Sequence, residues 1–197
     1  MSSPEIRVKG RVLSLEPPEE YQSTTYPKAI KKSKQWVLDI FSGKREHDRI
    51  LYQDEDLVLI PNIDWNNGSL GGLHVMAIYK RPDLLSIRDL KSSDVEMLRR
   101  TYHLSRDLIV QRYGLPANQI KAYFHYPPSV WQLHLHFINV NDKEHCAVER
   151  SHNVEYVIQH LELIPDYYQR ITLQVKKTHR IPKENSDGAS TDPLVKS

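Results

Sequence analysis

The alternation of hydrophobic and polar positions predicts several short strands. In the stretch VWQLHLHF, residues 130–137, an extended backbone places Gln132, His134 and His136 on one face and apolar side chains on the other. Further strand-like runs are at 50–52, 57–60, 73–80, 120–126 and in YQRITLQVK at 168–176. Because the segments between neighbouring runs are short, we expect antiparallel pairing.

Apolar residues at intervals of three and four predict the helices. A short helix is indicated around Trp36 to Phe41, a long one over 93–113 and a third over 152–161. Ser93 and Glu96 have the spacing of a capping box. Gly114 is a typical helix stop. The sequence therefore predicts an α+β fold, in which an antiparallel sheet packs with two principal helices.

Composition indicates one domain with irregular ends. We expect residues 1–30 to be an extended or poorly ordered lead-in, 31–176 the domain and 177–197 a flexible tail, because both ends are polar and rich in proline or serine. The absence of a long apolar run predicts no membrane span and no export signal. The single cysteine, Cys146, fits an intracellular compartment, cytoplasmic or nuclear.

The net charge limits the class of ligand. The chain carries 27 basic and 25 acidic residues, a net charge of +2, spread along its length. This balance argues against a broad track for long nucleic acid and leaves a small anionic ligand open.

The two alternating histidines have three interpretations. They are hydrogen-bonded structural residues, or metal ligands with a third ligand such as His125 or Glu149, or catalytic groups. In the catalytic case one neutral imidazole attacks phosphorus while the second stabilises charged oxygens. Spacing alone does not choose among the three.

A longer motif carries a family resemblance. The stretch FHYPPSVWQLHLHF resembles the signature of the histidine triad hydrolases, in particular their scavenger mRNA decapping branch. The segments QWVLDIFSGKREHDRI, LVLIPNIDWN and AVERSHNVEYVIQHLE extend the similarity in the family's order. The resemblance implies a histidine triad fold and a homodimer, with no metal and no cofactor. It also implies hydrolysis of the 7-methylguanosine cap, as a dinucleotide or on short capped RNA, in mRNA decay.

The resemblance assigns roles at the phosphates. It implies that His134 is the nucleophile, which forms a covalent phosphohistidine with 7-methyl-GMP and releases a 5′-diphosphate product. It places His125, Ser129 and His136 as donors to the charged oxygens, and Arg150 as a further phosphate contact.

The resemblance also assigns the groups that would bind the methylated base. Trp36 lies at the family's stacking position, where an indole attracts the positively charged ring. Glu46 matches the carboxylate that accepts hydrogen bonds from the base edge. Asn62 and Ile63 match the remaining base contacts, with Asn62 replacing an aspartate and Ile63 a leucine.

Three departures from the family pattern bear on activity. Gln132 replaces the first histidine of the triad and keeps only an amide donor. Asp64 replaces a lysine and so reverses a charge beside the phosphates. The chain is too short for the family's N-terminal domain, so we expect a catalytic C-terminal domain without that lid and with weaker binding and turnover. The alternative is a catalytically weakened cap-binding or decay-regulating protein.

Overall fold

The computed structural model describes the backbone of residues 8–65, 69–142 and 147–181 and the side chains of 12–65, 69–142 and 147–177. Cys146 and residues 182–197 of the predicted tail lie outside the described residues. Within these ranges no helix is long and apolar enough to cross a membrane.

Two antiparallel sheets contain eight strands in the described ranges. The strands are β1 (Val8–Glu16), β2 (Tyr52–Gln53), β3 (Leu57–Pro61), β4 (His74–Tyr79), β5 (Ile120–His125), β6 (His134–Asn139), β7 (Ser151–Asn153) and β8 (Leu173–Ile181). Six of them form one sheet in the order β2-β3-β4-β6-β5-β7, and β1 pairs with β8 as a separate two-stranded ribbon. The antiparallel pairings predicted for β2 with β3 and for β5 with β6 are confirmed.

The helices are α1 (Pro18–Glu20), α2 (Tyr26–Ala29), α3 (Gln35–Phe41), α4 (Val95–Tyr113), α5 (Val154–Leu163) and α6 (Tyr167–Arg170). A π-helical turn, Tyr21–Thr25, joins the first two. The α+β class is confirmed, and α4 and α5 are the two principal helices predicted from the apolar spacing.

The six-stranded sheet is apolar on both faces. On one face Leu135 and Phe137 of β6 are fully buried in the main core, together with residues of α4 and α5. On the other face Val37 and Ile40 of α3 pack with Met76 and Ile78 of β4 in a smaller core. Because α3 covers only part of this second face, polar side chains of β6 have room beside it.

The described part of the predicted extended or poorly ordered lead-in contains both extended and helical elements. Residues 8–16 form β1, which pairs with β8 from Val8↔Ile181 to Glu16↔Leu173, and helical turns follow over 18–29. Tyr21 is buried and packs edge-on against the ring of Tyr126. Strand β8 and Tyr126 are both distant in sequence from these residues, so local periodicity does not predict the contacts.

The predicted start of the tail at 177 also differs from the structure. Strand β8 continues to Ile181 because β1 supplies backbone partners along its whole length. Residues 177–181 are mostly polar and still form a strand, because backbone hydrogen bonds to β1 hold the ribbon together.

The two ends of α4 are capped differently. Its C-terminus is as predicted: Gly114 has φ 71° and its N–H donates to the carbonyl of Val110 at 2.9 Å. The predicted capping box of Ser93 and Glu96 is wrong. A single 3-10 turn, Ser92–Asp94, precedes the helix, and the Asp94 carboxylate accepts the backbone N–H of Lys91 instead.

Candidate functional site

His134 and His136 lie on the same face of β6, as the alternation predicts. Antiparallel pairing sets His134 opposite Ile78 and His136 opposite Met76 of β4, and both histidines are buried. They share this face with the smaller core under α3. The two rings are 4.8 Å apart between centroids.

A hydrogen bond fixes the tautomer of His134. Its Nδ1 lies 2.7 Å from the backbone carbonyl oxygen of Gln132. A carbonyl oxygen only accepts, so Nδ1 carries the proton and Nε2 carries the lone pair of the neutral ring. Burial lowers the pKa of His134, with a smaller opposing effect from this hydrogen bond. The ring is therefore neutral at neutral pH, with a nucleophilic nitrogen at Nε2.

His136 lies at the centre of an aromatic cluster. The rings of His125, His134 and His74 have centroids 4.6, 4.8 and 5.1 Å from it, and Tyr123 stacks on it at 5.3 Å. Burial lowers its pKa well below the ordinary value, and neighbouring histidines add to the effect.

His125 ends β5 beside this cluster. Burial, with a smaller contribution from the charge of Arg150, lowers the pKa of His125 to about 3. The Nε2 atoms of His125 and His136 are both buried and have no hydrogen-bond partner among the described residues. Unpaired buried polar atoms are costly, and a bound ligand could satisfy them.

A cavity of about 290 Å³ opens beside the histidines, close to the lower end of the range for small-molecule pockets. Six predicted site residues line it, namely Trp36, Asn62, Ile63, Ser129, His134 and His136. Trp36 comes from α3, and Asn62 and Ile63 from the loop after β3. Asp64, which replaces the family's lysine, is exposed and also lines the cavity, so it adds a negative charge at the cavity's edge.

Glu46 is joined to the pocket through Trp36. The indole Nε1–H donates to Glu46 Oε1 at 3.1 Å, and Arg49 donates to Glu46 Oε2 at 2.6 Å. Arg49 also donates to the backbone oxygen of Asn62 at 2.9 Å. Glu46 has φ 54°, a left-handed conformation that costs a non-glycine residue of order 1 kcal/mol. These bonds hold the carboxylate in place and leave it lone pairs for a further donor.

Arg150 lies outside the cavity beside Trp36. It lines a separate concavity with Leu13 and His152, not the cavity beside Trp36. Its backbone oxygen accepts the N–H of Tyr126 at 2.8 Å. The charge of Arg150 thus acts on His125, but Arg150 is not among the residues that line the cavity beside Trp36.

Gln132 is engaged by the protein itself. Its amide nitrogen donates to the backbone oxygens of Tyr79 and Arg81, each at 2.8 Å, and its Oε1 accepts from Lys34 Nζ at 3.3 Å. These contacts use both amide protons. The expectation that Gln132 keeps a donor for the substrate is therefore not met in this structure.

Sequence reasoning missed His74. His74 is a buried residue of β4, and its Nε2 lies 2.9 Å from Nδ1 of His136. The available signal was a single polar residue in the apolar run LHVMAIY, on the same strand face as Met76 and Ile78. Among the described residues, no three side chains of His, Cys, Asp or Glu are arranged to hold a metal ion.

The fold and the site together define the class of protein. It is an α+β protein with buried, neutral histidines beside a cavity lined by Trp36. Residues 35–152 match the family model described as scavenger mRNA decapping enzyme C-term binding. The chain belongs to this family.

Known relatives agree with the assignment to this family. The m7GpppX diphosphatase of Ascaris suum is 38% identical over 174 residues, which cover 85% of this chain and 58% of the relative. That of Homo sapiens is 36% identical over 162 residues, covering 79% and 48%. The chain thus spans about half the length of the curated relatives it matches.

One solved structure is a more distant neighbour. The aprataxin ortholog Hnt3 from Schizosaccharomyces pombe is 22% identical, with 57% of this chain and 60% of that chain covered and a TM-score of 0.38. This likeness is too weak to bear on function.

Proposed function

We propose that this site hydrolyses the 7-methylguanosine cap, as m7GpppN or on short capped RNA, through a covalent phosphohistidine. The observation that carries the proposal is the state of His134: it lines the pocket, and its Nδ1 proton is committed to the Gln132 carbonyl at 2.7 Å. The ring therefore holds its lone pair at Nε2, as a nucleophile requires. The substrate is inferred from the relatives, which are named m7GpppX diphosphatases.

In the first step His134 Nε2 forms a bond to the phosphorus next to 7-methylguanosine. The bond from that phosphorus to the bridging oxygen breaks, and its electron pair leaves with the 5′-diphosphate product. Water then attacks the same phosphorus, the P–N bond breaks, and 7-methyl-GMP is released. His125, His136 and Ser129 are the proposed donors to the charged oxygens, and Arg150 contributes positive charge from farther away. No metal enters these steps.

The proposed base site combines an aromatic face with a carboxylate. Trp36 and Ile63 line the pocket, so a purine between them would contact both side chains. The positive charge of a 7-methylated ring adds a cation–π contribution of about 0.5–2 kcal/mol on the indole. Glu46, held by Trp36 and Arg49, would accept hydrogen bonds from the base edge. Asn62 would contribute a further contact at the same end of the pocket.

Two observations favour a second candidate, a cap-binding protein with weakened hydrolysis. Asp64 lines the cavity, so its negative charge would repel the phosphates, and the amide of Gln132 donates to backbone oxygens of the protein. Both departures bear on phosphate handling and neither touches the stacking group Trp36. This candidate predicts binding of a methylated cap with little or no cleavage.

The decisive experiment incubates the protein with m7GpppG and with unmethylated GpppG in EDTA and resolves the products. We expect cleavage of the methylated dinucleotide only. His134→Asn should abolish it, because this variant lacks the nucleophile, while the exposed His103→Asn serves as the matched control. Trp36→Leu should weaken binding of the methylated compound by roughly 2- to 30-fold, the equivalent of the cation–π contribution.

Other outcomes decide between the candidates. Binding of m7GpppG without cleavage would support the second candidate. Equal cleavage of both dinucleotides would contradict cap specificity, and loss of cleavage in EDTA that Mg²⁺ restores would contradict a metal-independent mechanism.

We also propose that the protein forms a homodimer in the cytoplasm or nucleus, as the family resemblance implies. Leu13 and Leu15 of β1 are 58% and 67% exposed, and Val148, which lines a concavity together with Leu13, is 86% exposed. These side chains are available to a second copy. Light scattering on the purified chain measures the mass directly, and a monomer at micromolar concentration would contradict the proposal.

A further inference from the structure

Asn62, His74 and His136 form a hydrogen-bonded row from the base end of the pocket to the phosphate-binding cluster. Asn62 Nδ2 lies 3.1 Å from His74 Nδ1 and 3.3 Å from its Nε2. His74 Nε2 in turn lies 2.9 Å from His136 Nδ1. Both histidines are buried, at 4% and 5% exposure. Because both rings are buried, the contact with Asn62 constrains the proton of His74, and the contact with His74 constrains the proton of His136.

The orientation of the Asn62 amide determines the first proton. Its Oδ1 accepts the backbone N–H of Asp64 at 3.1 Å, so Nδ2 is the atom that faces His74. An amide nitrogen only donates, and its shorter contact is with His74 Nδ1. This contact favours Nδ1 as the acceptor, which puts the proton of a neutral His74 on Nε2.

The same logic continues to His136. His74 Nε2–H donates to His136 Nδ1, so that nitrogen accepts and a neutral His136 carries its proton on Nε2. This Nε2 is buried and has no hydrogen-bond partner in the part of the chain that the structure describes. It is an N–H donor left over for a ligand.

The two neighbouring rings on β6 thus have opposite tautomers. His134 has its proton on Nδ1 and a lone pair at Nε2, whereas His136 has a lone pair at Nδ1 and a proton on Nε2. One ring is prepared to attack phosphorus and the other to donate to its oxygens. A spacing of two residues on one strand cannot distinguish the rings in this way, because tautomers are set by second contacts.

We propose that His74 is a positioning residue that holds His136 as an Nε2–H donor to the substrate phosphate, with Asn62 orienting His74. The inference rests on the proposed function for its use, since it concerns the same site.

Long-range ¹H–¹⁵N correlation spectra of ¹⁵N-histidine-labelled protein test this directly. We expect the ring signals of His136, assigned by their loss in His136→Asn, to show the Nε2–H tautomer in the unmodified chain. His74→Phe keeps a ring but removes the donor, so His136 should exchange between both tautomers. His74→Gln restores an N–H donor and should restore the single tautomer. His103→Phe, on the exposed face of α4, is the matched control and should change nothing.

Kinetics provide the second measurement. His74→Phe should lower kcat for m7GpppG by roughly tenfold, in the range found for groups that orient a functional histidine, with a smaller change in KM. His74→Gln should recover most of the loss.

The two proposals fail in different ways. An Nδ1–H tautomer of His136 in the unmodified chain would overturn the inference even if both His74 variants failed to fold, as would an unchanged tautomer in a folded His74→Phe. The spectra need no substrate. Absence of cap hydrolysis with the Nε2–H tautomer present would therefore overturn the proposed function alone.

Discussion

At the scale of single residues, the chemistry of the site depends on burial and on second contacts. His125, His134 and His136 are all buried, and burial is the main cause of the lowered pKa of each ring. Their neutrality at neutral pH suits a nucleophile and neutral donors. The sequence indicates which side chains share a face, but not how deeply they are buried.

The lowered pKa of His125 makes folding stability depend on pH. The unfolded residue titrates near 6.5 and the folded one at about 3, so the unfolded state binds the extra proton between these values. The contribution is therefore complete above pH 6.5 and is lost as pH falls below it, by up to about 1.4 kcal/mol per pH unit.

We expect His125→Gln to reduce this dependence. Urea unfolding at pH 7.5, 6.0 and 5.0 should show a slope of unfolding free energy with pH that is smaller by about 1 kcal/mol per unit below pH 6.5. His103→Gln, at an exposed position, should keep the original slope. Parallel curves for His125→Gln and the unmodified chain would contradict a neutral, buried His125.

At the scale of secondary structure elements, local signals predict the type of element well and its capping less well. The long helix α4 ends as predicted, because a glycine in the left-handed region is a local feature that needs no partner. Its beginning is different, because Asp94 also receives Arg81 at 2.5 Å from a distant loop. A tertiary ion pair thus replaces the capping box that local spacing suggests.

Substitution at the end of α4 measures the value of its left-handed residue. Gly114 has φ 71° and open space around the position of a Cβ atom, so Gly114→Ala should cost about 1 kcal/mol through the backbone alone. Gly72→Ala is the control, since Gly72 also has open space but no positive φ. Thermal unfolding of both variants compares them, and equal stabilities would contradict a backbone origin.

At the scale of the whole molecule, one buried cation joins the ribbon to the rest of the domain. Arg88 is 1% exposed and donates to the backbone oxygens of Tyr168 at 2.9 Å and Ile171 at 2.6 Å. It also donates to the backbone oxygen of Glu16 at 2.7 Å, at the end of β1. The end of β1 and the segment that leads into β8 are therefore tied to one guanidinium.

Loss of Arg88 should destabilise the entire domain. Arg88→Met removes the donor to three backbone oxygens and the cation that faces the buried Glu16 carboxylate, which we expect to cost about 3–5 kcal/mol. Urea unfolding measures the loss. Arg99→Met is the control, because Arg99 pairs with Glu162 on the surface and such pairs contribute less than about 1 kcal/mol. A similar loss in both variants would contradict the structural role of Arg88.

The sequence by itself determined the α+β class, the strand face shared by His134 and His136, and the stretches that carry the family resemblance. These follow from periodicity and motif, which are local properties of the chain. Only the tertiary structure decided that residues 8–16 pair with β8, that Gln132 binds backbone oxygens and that His74 contacts His136. The physical reason is that each of these contacts joins residues on different elements, so the position of a proton or the burial of a charge depends on partners that no local pattern encodes.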